Sequence, residues 1–360
     1  MRPVIVTAAG LAAVLAFAPA ARAQDTATAT LRDVRFATGE SLPEVRLHFL
    51  TMGRPRRDAS GAVANAGLLL HGTTGSGRQF LNPIFAAEMF GRGQPLDTSV
   101  FFVVAPDNVG HGRSSKPSDG LRARFPRYTY DDMVDLQRRL LHEALGVDHL
   151  LLVLGTSMGC MHAWVWGTRY PDAVDGLVPL ACLPAEIAGR NRMMRRMILD
   201  DVRNDPEYQA GDYVRQPRGL AAALQVLFLM SSAPLLQQRA APTRDSADAV
   251  WERWIAGSLP RYDANDLVYA FDASRDYDPS ARLGGISARV LFINSADDLI
   301  NPPELGIAER LVRRVPRGRF VLLPVSERTR GHGTHTAAAV WKPWVGAFIA
   351  LLARARGLLH

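Results

Sequence analysis

A serine at position 157 lies at the centre of the pattern G-x-S-x-G, which reads GTSMG over residues 155–159. The apolar run HLLLVL at 149–154 precedes it directly, and helical spacing follows it. A sharp turn from strand to helix brings the residues two before and two after the serine together, where only glycine fits. Such a turn exposes the hydroxyl beside the free N–H groups of a helix N-terminus. The pattern therefore predicts a nucleophilic Ser157; the alternative is a capping serine in a glycine-rich turn.

A serine hydroxyl becomes an effective nucleophile when a base takes its proton and an acid orients that base. After this kind of turn, the order along the chain is serine, acid, histidine. His332 and His335 follow the last apolar run, in the segment RGHGTH at 330–335. We predict that His332 is the base, because it comes first after the strand and lies between two glycines. His335 is then a residue at a helix start or in the pocket wall.

Two neighbouring aspartates, Asp297 and Asp298, follow the apolar run RVLFIN at 289–294. One of them should reach the histidine, and the other should face solvent or a cap. We predict that Asp298 is the acid, because Pro302, four residues later, matches the turn that usually follows it. Either carboxylate has the alternative of making a local Asx turn.

Acyl chemistry also needs N–H donors for the oxygen that becomes negatively charged. The turn HGTTG at 71–75 follows the short apolar strand GLLL. We predict that the backbone N–H groups of Thr73 and Met158 form this oxyanion hole. His71 is then structural rather than catalytic, and the loop at 107–114 is a structural turn that helps to form the wall of the site.

Continuous apolar strands alternate with amphipathic helices through most of the chain, which indicates a parallel sheet covered on both faces. Strand-like runs lie at 44–52, 67–70, 99–105, 149–154, 175–181, 289–294 and 319–325, and helical spacing lies at 130–145. This alternation stops between 185 and 285, where helices and loops are indicated. We therefore predict a sheet-and-helix core formed by 24–184 and 286–360, with a helical cap inserted at 185–285.

Two features of the predicted cap allow alternative interpretations. The apolar helix at 219–230 either packs under the cap or lines an acyl pocket. Four arginines share one predicted helix, and we interpret them as a solvated face, with an anion site as the alternative. They are Arg190, Arg192, Arg195 and Arg196.

The first 23 residues have the composition of a secretory signal peptide. Arg2 precedes an apolar run at 4–20, and Ala21-Arg22-Ala23 forms a cleavage site before Gln24. The alternative is an uncleaved membrane anchor. Because 1–23 carries two arginines and no acid, cleavage lowers the formal net charge from +7 to +5. We expect an exported protein, periplasmic or secreted, without stable membrane insertion after cleavage; no basic patch indicates nucleic-acid binding.

Two cysteines, Cys160 and Cys182, are present, and their spacing fits no metal motif. Export permits a disulfide between them, and two buried free thiols are the alternative.

The sequence implies no metal and no organic cofactor. The expected partner is a small-molecule acyl substrate, and the oligomeric state is open, with a dimer included.

Together these residues resemble the α/β-hydrolase superfamily, over about 67–182 and 286–336. A closer resemblance is to the homoserine O-acetyltransferases and their hydrolase relatives. It rests on GTSMG at 155–159, NDPEYQAGDY at 204–213 and DAN at 263–265. That family transfers acetyl from acetyl-CoA with a serine, an aspartate and a histidine, which implies an α/β-hydrolase fold and the triad Ser157, Asp298 and His332.

One position departs from that family's pattern. Its acetyltransferases usually carry an aspartate directly after the catalytic histidine, where it holds the ammonium of homoserine; here the residue is Gly333. An exported enzyme would also not meet cytosolic acetyl-CoA. We therefore predict a serine hydrolase that acts on an ester or related acyl substrate. The alternatives are an O-acyltransferase that uses the same triad with acyl-CoA, and a non-catalytic binding protein.

Overall fold

The computed structural model of the protein describes residues 24–359, and the signal peptide predicted at 1–23 lies outside this part of the chain. Within 24–359, eight strands form one sheet. The strands are β1 (Gln24–Arg35), β2 (Ser41–Met52), β3 (Ala66–Leu70), β4 (Phe102–Pro106), β5 (Leu150–Thr156), β6 (Val174–Leu180), β7 (Arg289–Ser295) and β8 (Gly318–Leu323). The helices are α1 (Pro83–Met89), α2 (Tyr130–Arg139), α3 (Met158–Arg169), α4 (Gly189–Arg203), α5 (Gly219–Ser231), α6 (Pro234–Ala240), α7 (Arg244–Ser258), α8 (Ala264–Asp272), α9 (Ile307–Val312) and α10 (Ala338–Ala355).

The strands are arranged in the order β1-β2-β4-β3-β5-β6-β7-β8. β2 pairs antiparallel with both β1 and β4, and the remaining neighbours pair in parallel. Every residue of β3, β4 and β5 is buried. Hydrophobic clusters cover both faces of the sheet, so these strands need apolar side chains on both faces, and their sequences are continuously apolar. The predicted fold class, a mostly parallel sheet flanked by helices, is confirmed.

The sequence pattern did not indicate β1, which is an edge strand of the sheet. It pairs with β2 from Gln24 opposite Met52 to Arg35 opposite Ser41. Most of its residues are exposed, so its sequence is rich in polar side chains and lacks a long apolar run. The position of β1 is therefore specified by its pairing with β2 rather than by local hydrophobicity.

Each face of the sheet carries its own hydrophobic cluster. Trp164 and Trp166 of α3 belong to the cluster on one face, and Trp341 of α10 belongs to the cluster on the other. Helix α10 is long and apolar enough to cross a membrane by length and composition. Its buried residues Val345 and Ile349 pack in the second cluster, which makes α10 a core helix of this fold.

Helices α4 to α8 lie between β6 and β7, and α4, α5, α7 and α8 contribute residues to a third hydrophobic cluster. These helices fall inside the segment 185–285, whose division from the core as a separate cap stays a prediction. Helix α5 packs in the core of this region, as the first alternative predicted, since Leu220, Leu224 and Met230 belong to the third cluster. Leu227 and Met230 also line a cavity beside the sheet, and its use as an acyl pocket stays a prediction.

One of the four arginines of α4 is buried rather than solvated. Arg195 is 4% exposed, and its guanidinium donates to Ser274 Oγ at 3.1 Å and lies 5.5 Å from the ring centroid of Phe271. Arg196, next to it, is exposed and pairs with Asp200. The interpretation of these arginines as a solvated face is therefore wrong for Arg195.

A disulfide joins Cys160 of α3 to Cys182, two residues after the end of β6, with Cα atoms 5.8 Å apart. The bond resolves the alternatives left open by the sequence. It ties the start of the helix that follows Ser157 to the segment that leads into α4. The loops that follow β3, β5, β7 and β8 meet at the same edge of the sheet, because their strands run parallel.

Candidate active site

The turn between β5 and α3 holds Ser157 in a backbone conformation that side chains rarely adopt, with φ +54° and ψ −109°. Glycine is required on both sides. A Cβ on Gly155 would lie 1.8 Å from the carbonyl oxygen of Gly159, and a Cβ on Gly159 would lie 2.0 Å from that of Leu70. The N–H of Ser157 donates to Leu180 O at 2.9 Å, which fixes the turn against β6. The G-x-S-x-G pattern therefore reflects close backbone packing that presents the hydroxyl.

Three of the predicted side chains form a continuous chain of hydrogen bonds. His332 Nε2 lies 2.8 Å from Ser157 Oγ, and His332 Nδ1 lies 3.0 Å from Asp298 Oδ2. When Nδ1–H donates to the carboxylate, Nε2 carries the lone pair that accepts the serine proton. The arrangement is therefore able to activate the hydroxyl and to stabilise the imidazolium that forms.

Asp298 is held in place by its own turn and is only 1% exposed. Its Oδ1 accepts from the N–H of Ile300 at 2.9 Å, and its Oδ2 accepts from Asn301 Nδ2 at 3.0 Å. Burial alone would raise its pKa, but the neighbouring His332 and these hydrogen bonds outweigh burial and hold the pKa below its ordinary value. Asp298 is thus a carboxylate near neutral pH. Sequence reasoning missed the orienting role of Asn301, three residues along the same loop.

Asp297 has a different set of contacts from Asp298. Its Oδ2 accepts from the N–H of Gly331 at 2.9 Å, and its Oδ1 accepts from the hydroxyl of Ser295. Gly331 has a positive φ of 58° and directly precedes His332. Asp297 therefore fastens the histidine loop to the end of β7, and the structure places Asp298, not Asp297, on the imidazole.

His335 lies beside His332 without reaching Ser157. The two ring centroids are 5.1 Å apart, and His335 lines the cavity over Ser157. Burial, with the adjacent His332 as a second cause, lowers the pKa of His335 to about 3. His335 is consequently neutral near pH 7, and its position agrees with the pocket wall that the sequence analysis kept open.

Thr73 and Met158 are adjacent to Ser157 as an oxyanion hole would require. Met158 follows Ser157 at the first position of α3, and Thr73 lines the cavity with Gly72 and Ser157. Within 24–359, no acceptor is found for the backbone N–H of either residue. The buried hydroxyl of Thr73 also lacks a partner among the described residues. These free donors are available to an oxygen of a bound substrate.

His71 and the loop after β4 are structural. His71 is fully buried and accepts from the N–H of Asn108 through Nε2 at 3.1 Å. Asp107 accepts from the N–H groups of Gly77 and Arg113 and so closes its loop. Neither His71 nor Asp107 is hydrogen-bonded to Ser157, in agreement with the structural roles predicted for His71 and for the loop at 107–114. The prediction that this loop helps to form the wall of the site is wrong for the cavity over Ser157, because none of its residues lines that cavity.

A cavity of about 580 Å³ opens over Ser157 and His332. One wall is formed by the loops that follow β3, β5, β6, β7 and β8, here called the strand-end loops. The other is the helical wall, which α4, α5, α7 and α8 form. The surface of the cavity is mainly apolar, and its size lies within the range of small-molecule sites. The large apolar side chains in it include Leu183, Ile187, Leu227, Trp254, Phe271 and Leu299. In the part of the chain that the structure describes, no group of three His, Cys, Asp or Glu side chains is arranged to hold a metal.

Residues 68–327 match the family model described as alpha/beta hydrolase fold. The chain is 37% identical over 333 residues to a homoserine O-acetyltransferase of Thermobifida fusca, with 82% of this chain and 85% of that protein covered. The chain belongs to the α/β-hydrolase-fold family. Within that family, it belongs with the homoserine O-acetyltransferases, as the sequence resemblance predicts.

Two further comparisons extend this assignment. A protein of Methanothermobacter thermautotrophicus named as a probable acyltransferase is 28% identical over 293 residues, with 81% of this chain and 88% of that protein covered. The crystal structure of esterase E22 has the same fold, with a TM-score of 0.78, 20% identity, and coverage of 91% of this chain and 100% of that one. The esterase therefore shares the fold of this chain, and the family model and the curated relatives identify the chain as an enzyme of the α/β-hydrolase fold.

In this α/β-hydrolase, the motifs at 204–213 and 263–265, on which the family resemblance rests in part, contact each other. Tyr208 donates to Asn265 Oδ1 at 2.8 Å, and Tyr213 donates to Asp263 Oδ2 at 2.8 Å. Asn265 in turn donates to the carbonyl of Gly211. The motifs therefore connect the segment after α4 to the start of α8 and shape the helical wall, without lining the cavity themselves.

Proposed function

We propose that this protein transfers an acyl group to a hydroxyl acceptor through a covalent ester on Ser157. The proposal rests on the hydrogen bonds that connect Ser157 Oγ to His332 and His332 to Asp298. Ser157 and His332 both line the cavity, where a substrate can reach them. The catalytic roles follow from the chemistry of each group. Ser157 is the nucleophile, His332 the general base and then acid, and Asp298 the group that orients the imidazole.

In the first half-reaction, Ser157 Oγ attacks the carbonyl carbon of the acyl donor as its proton passes to His332 Nε2. The carbonyl oxygen becomes an oxyanion, which accepts hydrogen bonds from the N–H groups of Thr73 and Met158. Collapse of this tetrahedral intermediate breaks the bond to the leaving group. His332 gives its proton to the leaving group, which leaves the acyl-enzyme and a neutral imidazole.

In the second half-reaction, the acceptor hydroxyl gives its proton to His332 Nε2 and attacks the acyl carbon. The bond to Ser157 Oγ breaks, and the serine recovers a proton from His332. The name of one curated relative, homoserine O-acetyltransferase, supports an organic hydroxyl as the acceptor, and the name of another, probable acyltransferase, supports acyl transfer. They favour this alternative over the hydrolysis that the sequence analysis predicted first.

Ester hydrolysis is the second candidate, with water in place of the organic acceptor. Gly333 favours it, because this residue after His332 carries no carboxylate to hold the ammonium of an amino-acid acceptor. Export would favour it further, since acetyl-CoA is a cytosolic metabolite. The two candidates share the acyl-enzyme and differ only in the molecule that resolves it.

Product partition separates the two candidates. Purified protein is incubated with p-nitrophenyl acetate in water, with and without alcohol acceptors that include homoserine. Mass spectrometry then measures free acetate and the acetylated acceptor. Transfer predicts that the acetylated acceptor forms faster than acetate. Acetate alone at every acceptor concentration would favour hydrolysis, and the Ser157→Ala variant is the control. Failure of wild type to react with a fluorophosphonate probe would favour the non-catalytic alternative.

We also propose that the protein is exported and cleaved between Ala23 and Gln24. The disulfide between Cys160 and Cys182 supports this proposal, because such bonds persist in oxidising compartments. Expression of the full chain, cell fractionation and mass measurement of the periplasmic and secreted protein test it. A product that begins at Gln24 outside the cytosol is expected, and full-length protein retained inside the cell would contradict it.

A further inference from the structure

One glutamine side chain connects the loop after β3 to the strand that leads into Ser157. Gln79 Oε1 accepts from the N–H of Gly72 at 3.3 Å, and Gln79 Nε2 donates to Thr156 Oγ1 at 2.8 Å. Gly72 directly precedes Thr73, and Thr156 directly precedes Ser157. The side chain of Gln79 thus joins the backbone next to one oxyanion donor to the residue next to the nucleophile.

The hydrogen-bond partners fix which end of the Gln79 amide faces the loop. The N–H of Gly72 can only donate, so the carbonyl oxygen of the amide faces it and the NH₂ group faces Thr156. Thr156 Oγ1 accepts from that NH₂ group and donates its own proton to Leu70 O at 3.3 Å. The bonds therefore form one chain, from the loop through Gln79 and Thr156 to the end of β3.

Gln79 lies on a rigid support. It belongs to the short helical turn Gly77–Leu81. A Cβ on Gly77 would lie 2.3 Å from Ala105 O, so this turn packs directly against β4. Phe80, the next residue, is fully buried in the cluster on one face of the sheet. A side chain supported in this way can hold a neighbouring loop in place instead of moving with it.

The loop that Gln79 contacts, residues 71–75, has a strained backbone. Thr74 has a positive φ of 63°, which is unfavourable for a β-branched side chain. The N–H of Gly75 donates to Gly72 O at 3.0 Å and closes the turn. A Cβ on Gly75 would lie 3.0 Å from Gln79 Oε1, so the turn packs closely around the amide. Such strain persists only where the surrounding groups hold it, and Gln79 is one of those groups.

We propose that Gln79 is a positioning residue of the oxyanion hole, which holds the N–H of Thr73 at the distance from Ser157 that the oxyanion requires. This inference rests on the proposed function, because it concerns the same acyl transfer. An oxyanion hole is effective when its donors are fixed before the negative charge develops. Without the bonds of Gln79, the loop would have to be ordered during the reaction. The transition state would then lose stabilisation, whereas binding of the substrate would not.

Gln79→Met tests the proposal, because it keeps the length of the side chain and removes both hydrogen bonds. It should lower kcat for p-nitrophenyl acetate by about 10- to 100-fold, the scale of a misplaced catalytic group, and leave KM unchanged. Since Gln79 also lines the cavity, a changed KM with the wild-type kcat would indicate contact with the substrate and would overturn the proposal.

A transition-state analogue reports on the oxyanion hole directly. Ser157 Oγ adds to the carbonyl carbon of trifluoroacetone as its proton passes to His332, and the ketone oxygen becomes an oxyanion. The affinity for this ketone should fall in Gln79→Met by the same factor as kcat/KM. Unchanged affinity for the ketone, beside a lower kcat, would show that the hole is intact and would overturn the proposal.

A second variant of the same bridge tests whether the two side chains act together. Thr156→Val removes the hydroxyl that is bonded to Gln79 and keeps the shape of the side chain. It should lower kcat by about threefold to tenfold, the effect of one hydrogen bond. In the double variant Gln79→Met, Thr156→Val, the loss should equal that of Gln79→Met alone, because the bridge is already broken. Losses that multiply would show two independent effects and contradict the bridge.

Asn65→Leu separates positioning from folding. Asn65 is a fully buried amide that bonds to the backbone of Arg56 and Val100, and it lies beside the start of β3, at the end away from Ser157. Its replacement should lower Tm and leave kcat unchanged. Equal losses of kcat in Asn65→Leu and Gln79→Met would reflect general destabilisation and contradict the proposal.

Hydrogen exchange distinguishes failure of this inference from failure of the proposed function. Mass spectrometry should show faster amide exchange of residues 71–75 in Gln79→Met than in wild type, and unchanged exchange there in Asn65→Leu. If wild type neither cleaves the ester nor binds the ketone but this difference is present, the proposed function fails and the positioning of the loop by Gln79 survives. If wild type cleaves the ester, and Gln79→Met changes neither exchange nor kcat, the inference fails alone.

Discussion

The two walls of the active-site cavity are built on different physical principles. The strand-end loops position Ser157, Asp298 and His332 through backbone geometry and short hydrogen bonds. The helical wall of α4, α5, α7 and α8 depends on a hydrophobic cluster of its own and contributes apolar side chains and Arg195. The first wall is suited to one chemical step, and the second to the choice of the molecule on which that step is performed.

The largest effects should come from the strand-end wall. Ser157→Ala should lower the turnover of p-nitrophenyl acetate by about 10⁶-fold, because removal of a triad serine abolishes the covalent route. His332→Ala should cause a comparable loss, whereas His335→Ala should be mild. Steady-state kinetics, with circular dichroism as the folding control, check these values. A larger loss from His335→Ala than from His332→Ala would move the base to the other histidine.

The two adjacent aspartates should differ sharply within that same wall. Asp298→Asn should lower kcat by about 10⁴-fold, because an amide no longer holds His332 in the tautomer that accepts the serine proton. Asp297→Asn keeps one oxygen for the N–H of Gly331, so its loss should be about tenfold or less. These matched variants change the same functional group one residue apart, and equal losses would contradict the assignment of Asp298.

The helical wall should alter selectivity rather than chemistry. Trp254 lines the cavity and packs against Trp251 and Phe228. Trp254→Ala should enlarge the pocket and raise the preference for longer acyl chains by about tenfold, the scale of one or two methylene groups in an apolar site. A series of p-nitrophenyl esters from acetate to octanoate measures this shift. A uniform fall in kcat for every chain length would place Trp254 with the chemistry instead.

The smallest expected effect is on the stability of the folded protein in acid, and it comes from His111, which lies outside the active-site cavity. Burial, with His71 as a second cause, lowers the pKa of His111 in the loop after β4 from 6.5 to about 3. The unfolded chain therefore binds a proton that the folded protein does not, so the free energy of unfolding should fall as the pH drops from 6.5 toward 3. The contribution of one such histidine is up to about 1.4 kcal/mol per pH unit.

Urea unfolding of wild type and His111→Asn at several pH values measures this contribution. The variant should show a shallower loss of stability between pH 6.5 and about 3, the interval set by the two pKa values of His111. Unchanged pH dependence in the variant would show that His111 is protonated in the folded protein.

The difference between the walls also explains how far the sequence could predict the molecule. Ser157 could be predicted because the glycines that its turn requires lie two residues away on either side. His332 and Asp298 could be predicted because they follow apolar strands in a known order. The burial of Arg195 depends on Phe271 and Ser274, more than seventy positions along the chain, so the spacing of four arginines on one helix could not reveal it. Strand β1 was missed for a similar reason, since its partner β2 rather than its own sequence specifies it.

Trapping the acyl-enzyme tests the central claim most directly. Wild-type protein is mixed with p-nitrophenyl acetate, quenched in acid within the first turnovers, digested and analysed by mass spectrometry. The account predicts one acetyl group on the peptide that contains Ser157, absent from Ser157→Ala and accumulating in Asp298→Asn only slowly. Turnover of the ester without acetylation of Ser157, or an acetyl group on another residue that the next turnover removes, would contradict it.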